Sequence, residues 1–288
     1  MDIRKALQGK GSIFLSKDDS VSFNEETLLE KIRREKPLVH NITSDVVAND
    51  VANTCLALGA TTVLTEETQD FKDLLPITSA IVLNLGKLSP TKLTAIEYLL
   101  SFKHIKNIPV VLDPVGVGTF SWRRKATFRL LRTGMIDLVK GNAGEIAALA
   151  GVAWTPKGVD AGEGSSDIGR IVKDLANEYA CIFASSGPID YLSDGDRVYL
   201  QNNGHSMLTM MTGSGCILSA VLACFLSVAG AEYFVAACDA FDFFNVTGER
   251  IFAKNPHQGP ATFRTSFIDG IYLMNSQTVR EFRRGSWQ

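Results

Sequence analysis

Short β-rich runs, apolar without a clear period of two, recur along this chain and alternate with longer segments of helical period. Thr61-Thr62-Val63-Leu64, Ala80-Ile81-Val82-Leu83, Pro109-Val110-Val111-Leu112 and Asp137-Leu138-Val139 are the clearest, and residues 91–101 and 166–179 carry the helical pattern. Strands of that kind are buried on both faces. Their alternation with helices predicts an α/β fold with a largely parallel sheet, in which ligands collect at the carboxyl ends of the strands. After Cys181-Ile182-Phe183-Ala184 the chain reads as a hairpin, with residues 191–193 and 197–200 flanking Asp194-Gly195-Asp196. Three helices near residues 216–228, 233–252 and 263–274 close the domain.

The chain has 288 residues, 45% of them hydrophobic, enough for one large domain with a substantial core. Lys and Arg total 29 against 31 Asp and Glu, so nothing in the charge favours nucleic acid or an anionic membrane, and a small molecule is the expected partner. Five cysteines without a CxxC pair suit reduced thiols, and the N-terminus has no signal-peptide core; a cytoplasmic location is expected. Residues 206–231 are free of charge and long enough to span a bilayer, but Thr212, Gly213, Ser214 and Gly215 would break that helix, and no membrane segment is expected. Residues 1–24 read as an extension, 25–277 as the folded domain and 278–288 as a basic tail, with both termini expected to fray. Residues 155–166, rich in glycine and small polar residues, read as a surface loop.

Thr212-Gly213-Ser214-Gly215-Cys216 leads directly into the apolar run 217–223. Glycines let backbone approach a ligand, and the first N–H groups of the helix that follows lack intrahelical acceptors, so Gly213, Ser214, Gly215 and Cys216 form a candidate anion hole. The helix dipole can lower the pKa of a thiol on that first turn from about 8.5 towards 7 or below, so Cys216 could accept a proton. A tight corner with a small buried hydrophobe accounts for the same spacing equally well.

Asn84-Leu85-Gly86, the loop 113–118 and Gly141-Asn142-Ala143-Gly144-Glu145 each follow one of the strands, so they share a rim. Asp113 and Glu145 can converge there on a hydrated Mg2+, which takes one or two protein carboxylates along with phosphate oxygens. A loop-capping Asp113 and a first-turn helical Glu145 are the alternatives. Arg123 follows the glycine loop with a fork suited to polyphosphate, and Ser186 with Gly187 offers hydroxyl and amide. A solvated basic helix start and a plain Ser-Gly turn explain those residues as well. His40 and His205 stand alone and are expected to be structural. Walker, dinucleotide-binding and nucleophile-elbow motifs are all missing from the sequence.

In order, residues 37–43 (PLVHNIT), 57–60 (ALGA), 83–86 (LNLG), 112–118 (LDPVGVG), 141–146 (GNAGEI) and 212–216 (TGSGC) resemble hydroxyethylthiazole kinases, over about residues 36–274; Lys157-Gly158-Val159-Asp160 and Asn203-Gly204-His205 match as well. The resemblance implies a ribokinase-like three-layer α/β/α sandwich with a mostly parallel central sheet. It further implies ATP-dependent phosphorylation of 4-methyl-5-(2-hydroxyethyl)thiazole in thiamine salvage, Mg2+ as cofactor, and a homotrimer with active sites at subunit interfaces. By position, Arg123 and Ser186 fall on ATP-binding residues, Ala48 and Gly213 on the thiazole site, Asp113 and Glu145 on the magnesium region, and Cys216 on the proton acceptor, an aspartate in related sugar kinases. The family usually has methionine where Ala48 stands, threonine at Ser186 and Ser214, and Gly-Pro-Gly-Ser-Phe where this chain has Gly259-Pro260-Ala261-Thr262-Phe263. A kinase for a hydroxymethylpyrimidine or pyridoxal alcohol would share the anion hole. A nucleotide-binding sensor without catalysis is the alternative of another class.

Overall fold

The computed structural model describes residues 26–103, 105–153, 155–157, 160–163 and 167–288; the expected extension 1–24 lies outside them, as do Gly158 and Val159. The first half runs α1 (Leu28–Glu35), β1 (Leu38–Ile42), α2 (Ala48–Leu58), β2 (Thr61–Leu64), α3 (Phe71–Leu74), β3 (Thr78–Asn84), α4 (Pro90–Ser101), β4 (Val110–Asp113), α5 (Ser121–Leu131), β5 (Leu138–Asn142) and α6 (Ala143–Leu149). The second runs β6 (Thr155–Lys157), β7 (Asp160–Glu163), α7 (Ile168–Tyr179), β8 (Ile182–Ser186), β9 (Asp190–Ser193), β10 (Val198–Gln201), α8 (Ser214–Leu226), α9 (Tyr233–Lys254), α10 (Pro260–Leu273), α11 (Ser276–Phe282) and β11 (Gly285–Trp287). Where a loop was expected at residues 155–166, β6 and β7 form a small antiparallel pair.

The main sheet has the order β11-β10-β9-β8-β5-β4-β3-β1-β2. Pairing is parallel from β2 to β8 and antiparallel from β8 through β9 and β10 to β11. Each central strand feeds two cores, because successive side chains leave a strand on opposite faces. Val39, Ala80, Val82, Val111 and Leu138 join the core that holds α1, α2, α8, α9 and α10. Ile81, Leu83, Val110, Leu112 and Val139 join the other, with Phe71 and helices α4 to α7. The result is the three-layer α/β/α sandwich that the family resemblance implies, with the largely parallel sheet expected from strands without a wet face.

Local chemistry sets where the helices begin and end. Thr27 and Glu30 close a capping box on α1, Asn142 and Glu145 close another on α6, and Ser89 caps α4 with Pro90 at its first position. Gly59, at φ +105°, ends α2 in the left-handed conformation. The helix α8 is buried over all ten residues from Ile217 to Leu226 and packs on the sheet, α2 and α9. An apolar surface on every side puts it in the interior, so its amino end is held rigidly at the strand rim.

The carboxyl terminus corrects the expected fraying. Strand β11 pairs with β10, the Gln288 N–H donates to Val198 O, and Arg284 holds Glu249 of α9 at 2.7 Å. Among the described residues, no helix is long and apolar enough to cross a membrane.

Candidate active site

The carboxyl ends of β1, β3, β4, β5 and β8 bring Asn41, Asn84, Asp113, Asn142 and Ser186 to one rim, and the amino end of α8 meets it from the side. Two close approaches shape the turn that starts α8. Gly213 is its N-cap at φ +78°, and a Cβ there would lie 2.1 Å from Val47 Cγ1. A Cβ on Gly215 would lie 2.7 Å from Lys140 Nζ. Glycine is therefore required at 213 by both backbone angle and space, while the Ser214 N–H donates to Met211 O at 3.2 Å and Gly215 and Cys216 open the helix with N–H groups outside its ladder.

Asp113 is 1% exposed at the end of β4. Its Oδ2 accepts from Asn84 Nδ2 and from Ser219 Oγ of α8, each at 2.9 Å, and the Lys140 ammonium lies 4.0 Å away. Lys140, on β5, is 3% exposed. Burial opposes its charge, yet Asp113, Glu145, Cys216 and Asp190 together outweigh that and raise its pKa, so the ammonium persists. Cys216 faces the same carboxylates. Burial first, and Asp113 second, push its thiol up to about 12, against the pull of Lys140 and an Asn84 hydrogen bond. Desolvation beside an anion thus runs against the lowering expected from the helix dipole and favours the protonated thiol.

Glu145 accepts the Asn142 N–H at 2.9 Å on one oxygen and the Gly116 N–H at 2.8 Å on the other. The alternative reading of a first-turn helical carboxylate therefore describes its contacts well, with the addition that it grips the loop after β4. Burial, and then Asp113, raise its pKa to about 7. Arg123 Nη1 donates to Val115 O at 3.1 Å with its guanidinium 4.5 Å from the Phe120 ring centroid, while Arg124 binds Val117 O and Gly118 O. Two of the three adjacent cations thus hold the glycine loop. Ser186 pairs in register with Asn142, and its hydroxyl is 3.4 Å from Gly141 O. The following Gly187 N–H donates to the buried Asp190 carboxylate at 2.8 Å.

Magnesium fits these residues unevenly. Asp113 Oδ1 takes no hydrogen bond among the described residues, which leaves it available to a hydrated cation, whereas both Glu145 oxygens already accept backbone N–H groups and suit water-mediated contact. Among the described residues, no three His, Cys, Asp or Glu side chains form a cluster that could hold a metal by themselves.

Ala48, on the first turn of α2, lines a cavity of about 380 Å³ together with Asn41, Thr43, Thr65, Lys87 and Lys92. Its neighbour Val47 is the residue against which Gly213 packs, so the cavity adjoins the glycine turn. Lys92, buried, donates to Thr43 O at 2.6 Å and Lys87 pairs with Asp45. Of the two histidines singled out in the sequence, His40 hydrogen-bonds Thr65 O, and His205 accepts from the Met207 N–H and stacks on Phe252.

The sequence reading missed Lys140, Ser219, Lys92 and Asp190. Lys140 carried a usable signal, a lone charge inside a strand whose neighbours are apolar on both faces. Ser219 sits one helical turn after Gly215 and gave none.

The family model described as the hydroxyethylthiazole kinase family matches residues 29–277. A hydroxyethylthiazole kinase of Listeria monocytogenes is 41% identical over 252 residues, which cover 88% of this chain and 93% of that protein. The solved hydroxyethylthiazole kinase of Pyrococcus horikoshii OT3 is similar at a TM-score of 0.81 and 30% identity, covering 91% of this chain and 97% of that one. A pyridoxal kinase of Staphylococcus aureus solved with pyridoxal shares the fold at a TM-score of 0.54 and 18% identity, covering 74% of this chain and 88% of its own.

Proposed function

The chain belongs to the hydroxyethylthiazole kinase family, and on that premise we propose that it transfers the terminal phosphoryl group of ATP to the primary alcohol of 4-methyl-5-(2-hydroxyethyl)thiazole, a thiamine salvage step. The observation that carries this reading is the contact of Gly213 with Val47, which sets a helix amino end built for anions beside the cavity lined by Ala48. The acceptor occupies that cavity, and ATP lies across the ends of β4, β5 and β8, bound by Arg123 and Ser186. The Gly213 to Cys216 turn receives the phosphoryl group in flight, whose charge its amides stabilise.

Asp113, with an oxygen free of hydrogen bonds, and Glu145 are the residues that would hold Mg2+, which would supply neutralisation of phosphate charge. Cys216 takes the alcohol proton. Since its thiol is protonated at neutral pH, only the small thiolate fraction serves, as a strong base. Positioning and charge stabilisation therefore supply most of the rate. The enzyme works as a cytoplasmic homotrimer; exposed Val46, Leu56, Tyr272 and Leu273 on or beside α2 and α10 support contact with further copies.

A substrate panel tests the acceptor. Purified protein with ATP and Mg2+ should phosphorylate the thiazole alcohol far faster than a hydroxymethylpyrimidine or pyridoxal. Preference for either of those would replace the acceptor, and nucleotide binding without transfer to any alcohol would leave a sensor.

A further inference from the structure

Lys140 is a cation set in a buried strand at the rim, its side chain 4% exposed. Among the described residues its ammonium donates no hydrogen bond; the nearest carboxylate oxygen, Asp113 Oδ2, is 4.0 Å away and already accepts from Asn84 and Ser219. An ammonium has three donors, and one held in a buried strand without a protein acceptor has donors to offer only to what enters the cleft, since the Nζ is not among the fully enclosed polar atoms. Its position is specific. The Nζ lies 2.7 Å from where a Cβ of Gly215 would project, so the glycine turn is built around it. A Cβ at Gly215 would require the ammonium to shift from this position.

Two observations thus meet at one place: a helix amino end whose Gly215 and Cys216 N–H groups have no acceptor among the described residues, and a cation with unused donors. We propose that Lys140 is a catalytic residue whose ammonium binds the transferring phosphoryl group as it passes the amino end of α8. This rests on the kinase reading above. In the step, the bond from the terminal phosphorus to the β,γ-bridging oxygen breaks as a bond to the acceptor oxygen forms, the alcohol proton leaves to the base, and ADP departs. Lys140 keeps its protons throughout and offsets the charge carried by the equatorial oxygens. Lysine suits this as a compact point charge that can follow the moving group.

Wild type, Lys140→Met, Asp113→Asn and the double variant are compared for kcat, KM and affinity for ATP and ADP, with unfolding followed in parallel. Lys140→Met should lower kcat by about 10²- to 10³-fold, the usual cost of one charge-stabilising donor, and remove the contribution of the terminal phosphate to ATP binding while ADP affinity stays within about threefold. The same losses should appear when Lys140→Met is added to Asp113→Asn. Losses confined to the background with Asp113 intact would make Lys140 a counter-ion only and overturn the proposal, as would a kcat within about threefold of wild type. A parallel fall in ATP and ADP affinity with early unfolding counts against it in the same way. If the single variant does not fold, Asp113→Asn against the double variant decides, because the charge pair is then removed together. Should wild type fail to phosphorylate the thiazole alcohol, the acceptor reading falls, and the ATP-against-ADP comparison still decides the role of Lys140.

Discussion

Gly213 and Cys216 sit three residues apart and carry different kinds of constraint. At Gly213 the constraint is space: φ is +78° and the site of a Cβ is 2.1 Å from Val47 Cγ1. Gly213→Ala should therefore cost about 1–3 kcal/mol in a denaturant-unfolding experiment and lower kcat as the turn is pushed out. Adding Val47→Ala should recover part of the stability, because it relieves the contact and leaves the backbone strain. Full stability in the single variant would show that the turn yields easily. At Cys216 the constraint is charge, with burial and Asp113 holding the thiol protonated. Cys216→Ala should reduce turnover by about 10²- to 10⁴-fold while leaving ATP affinity unchanged in calorimetry. Unchanged turnover removes the thiol from the mechanism.

Among the elements, the strands of the parallel sheet were legible because every residue from Ile81 to Leu83 or Val110 to Leu112 is apolar, which only a doubly covered strand tolerates. The start of α8 was legible for a related reason, since glycines before an unbroken apolar run specify a turn into a buried helix. Strand β11 was not. Gly285-Ser286-Trp287 is too short to show a period, and its place on β10 comes from distant partners such as Arg284 with Glu249 and Trp287 beside Tyr199. The raised Cys216 pKa was hidden likewise, since desolvation exists only once three layers close around the thiol. The docking of α11 on α9 makes a measurable prediction. Asp239 of α9 is raised to about 6, by burial first and Asp242 second, against Arg283 and Arg280. An unfolded aspartate titrates near about 3.9, so the folded state holds the extra proton between those values. Stability from this group is full below about pH 4 and is lost as pH rises through about 6. Relative to wild type, Asp239→Asn should gain on the order of 1–2 kcal/mol between pH 4 and pH 8. Parallel pH curves for the two proteins would mean that Asp239 is hydrated when folded.

Across the whole molecule, the layout divides labour along one rim. The cavity proposed for the acceptor lies by β1, β2 and α2, the residues proposed for the nucleotide, Arg123 and Ser186, lie on α5 and β8, and the amino end of α8 belongs to a helix with no wet face. Phosphoryl transfer needs its two oxygens in line, and a rigid midpoint supplies that without a large domain motion. The helix α2 carries a second burden. It contributes Ala48 to the cavity, packs on α10, is tied to it by the Asp50–Arg264 pair, and leaves Leu56 exposed, with Tyr272 and Leu273 exposed at the far end of α10. Large apolar side chains gathered on two packed helices are the composition of a contact surface, and the proposed homotrimer would bury them. Sedimentation equilibrium should then give the mass of three copies, and Leu56→Glu with Tyr272→Glu should shift it towards one. Because the same helix walls the cavity proposed for the acceptor, dissociation should raise KM for the thiazole alcohol more than KM for ATP, whose proposed residues Arg123 and Ser186 do not line it. A monomeric wild type with full activity would make those exposed side chains unrelated to assembly, and equal effects on both KM values would break the link between α2 and the acceptor.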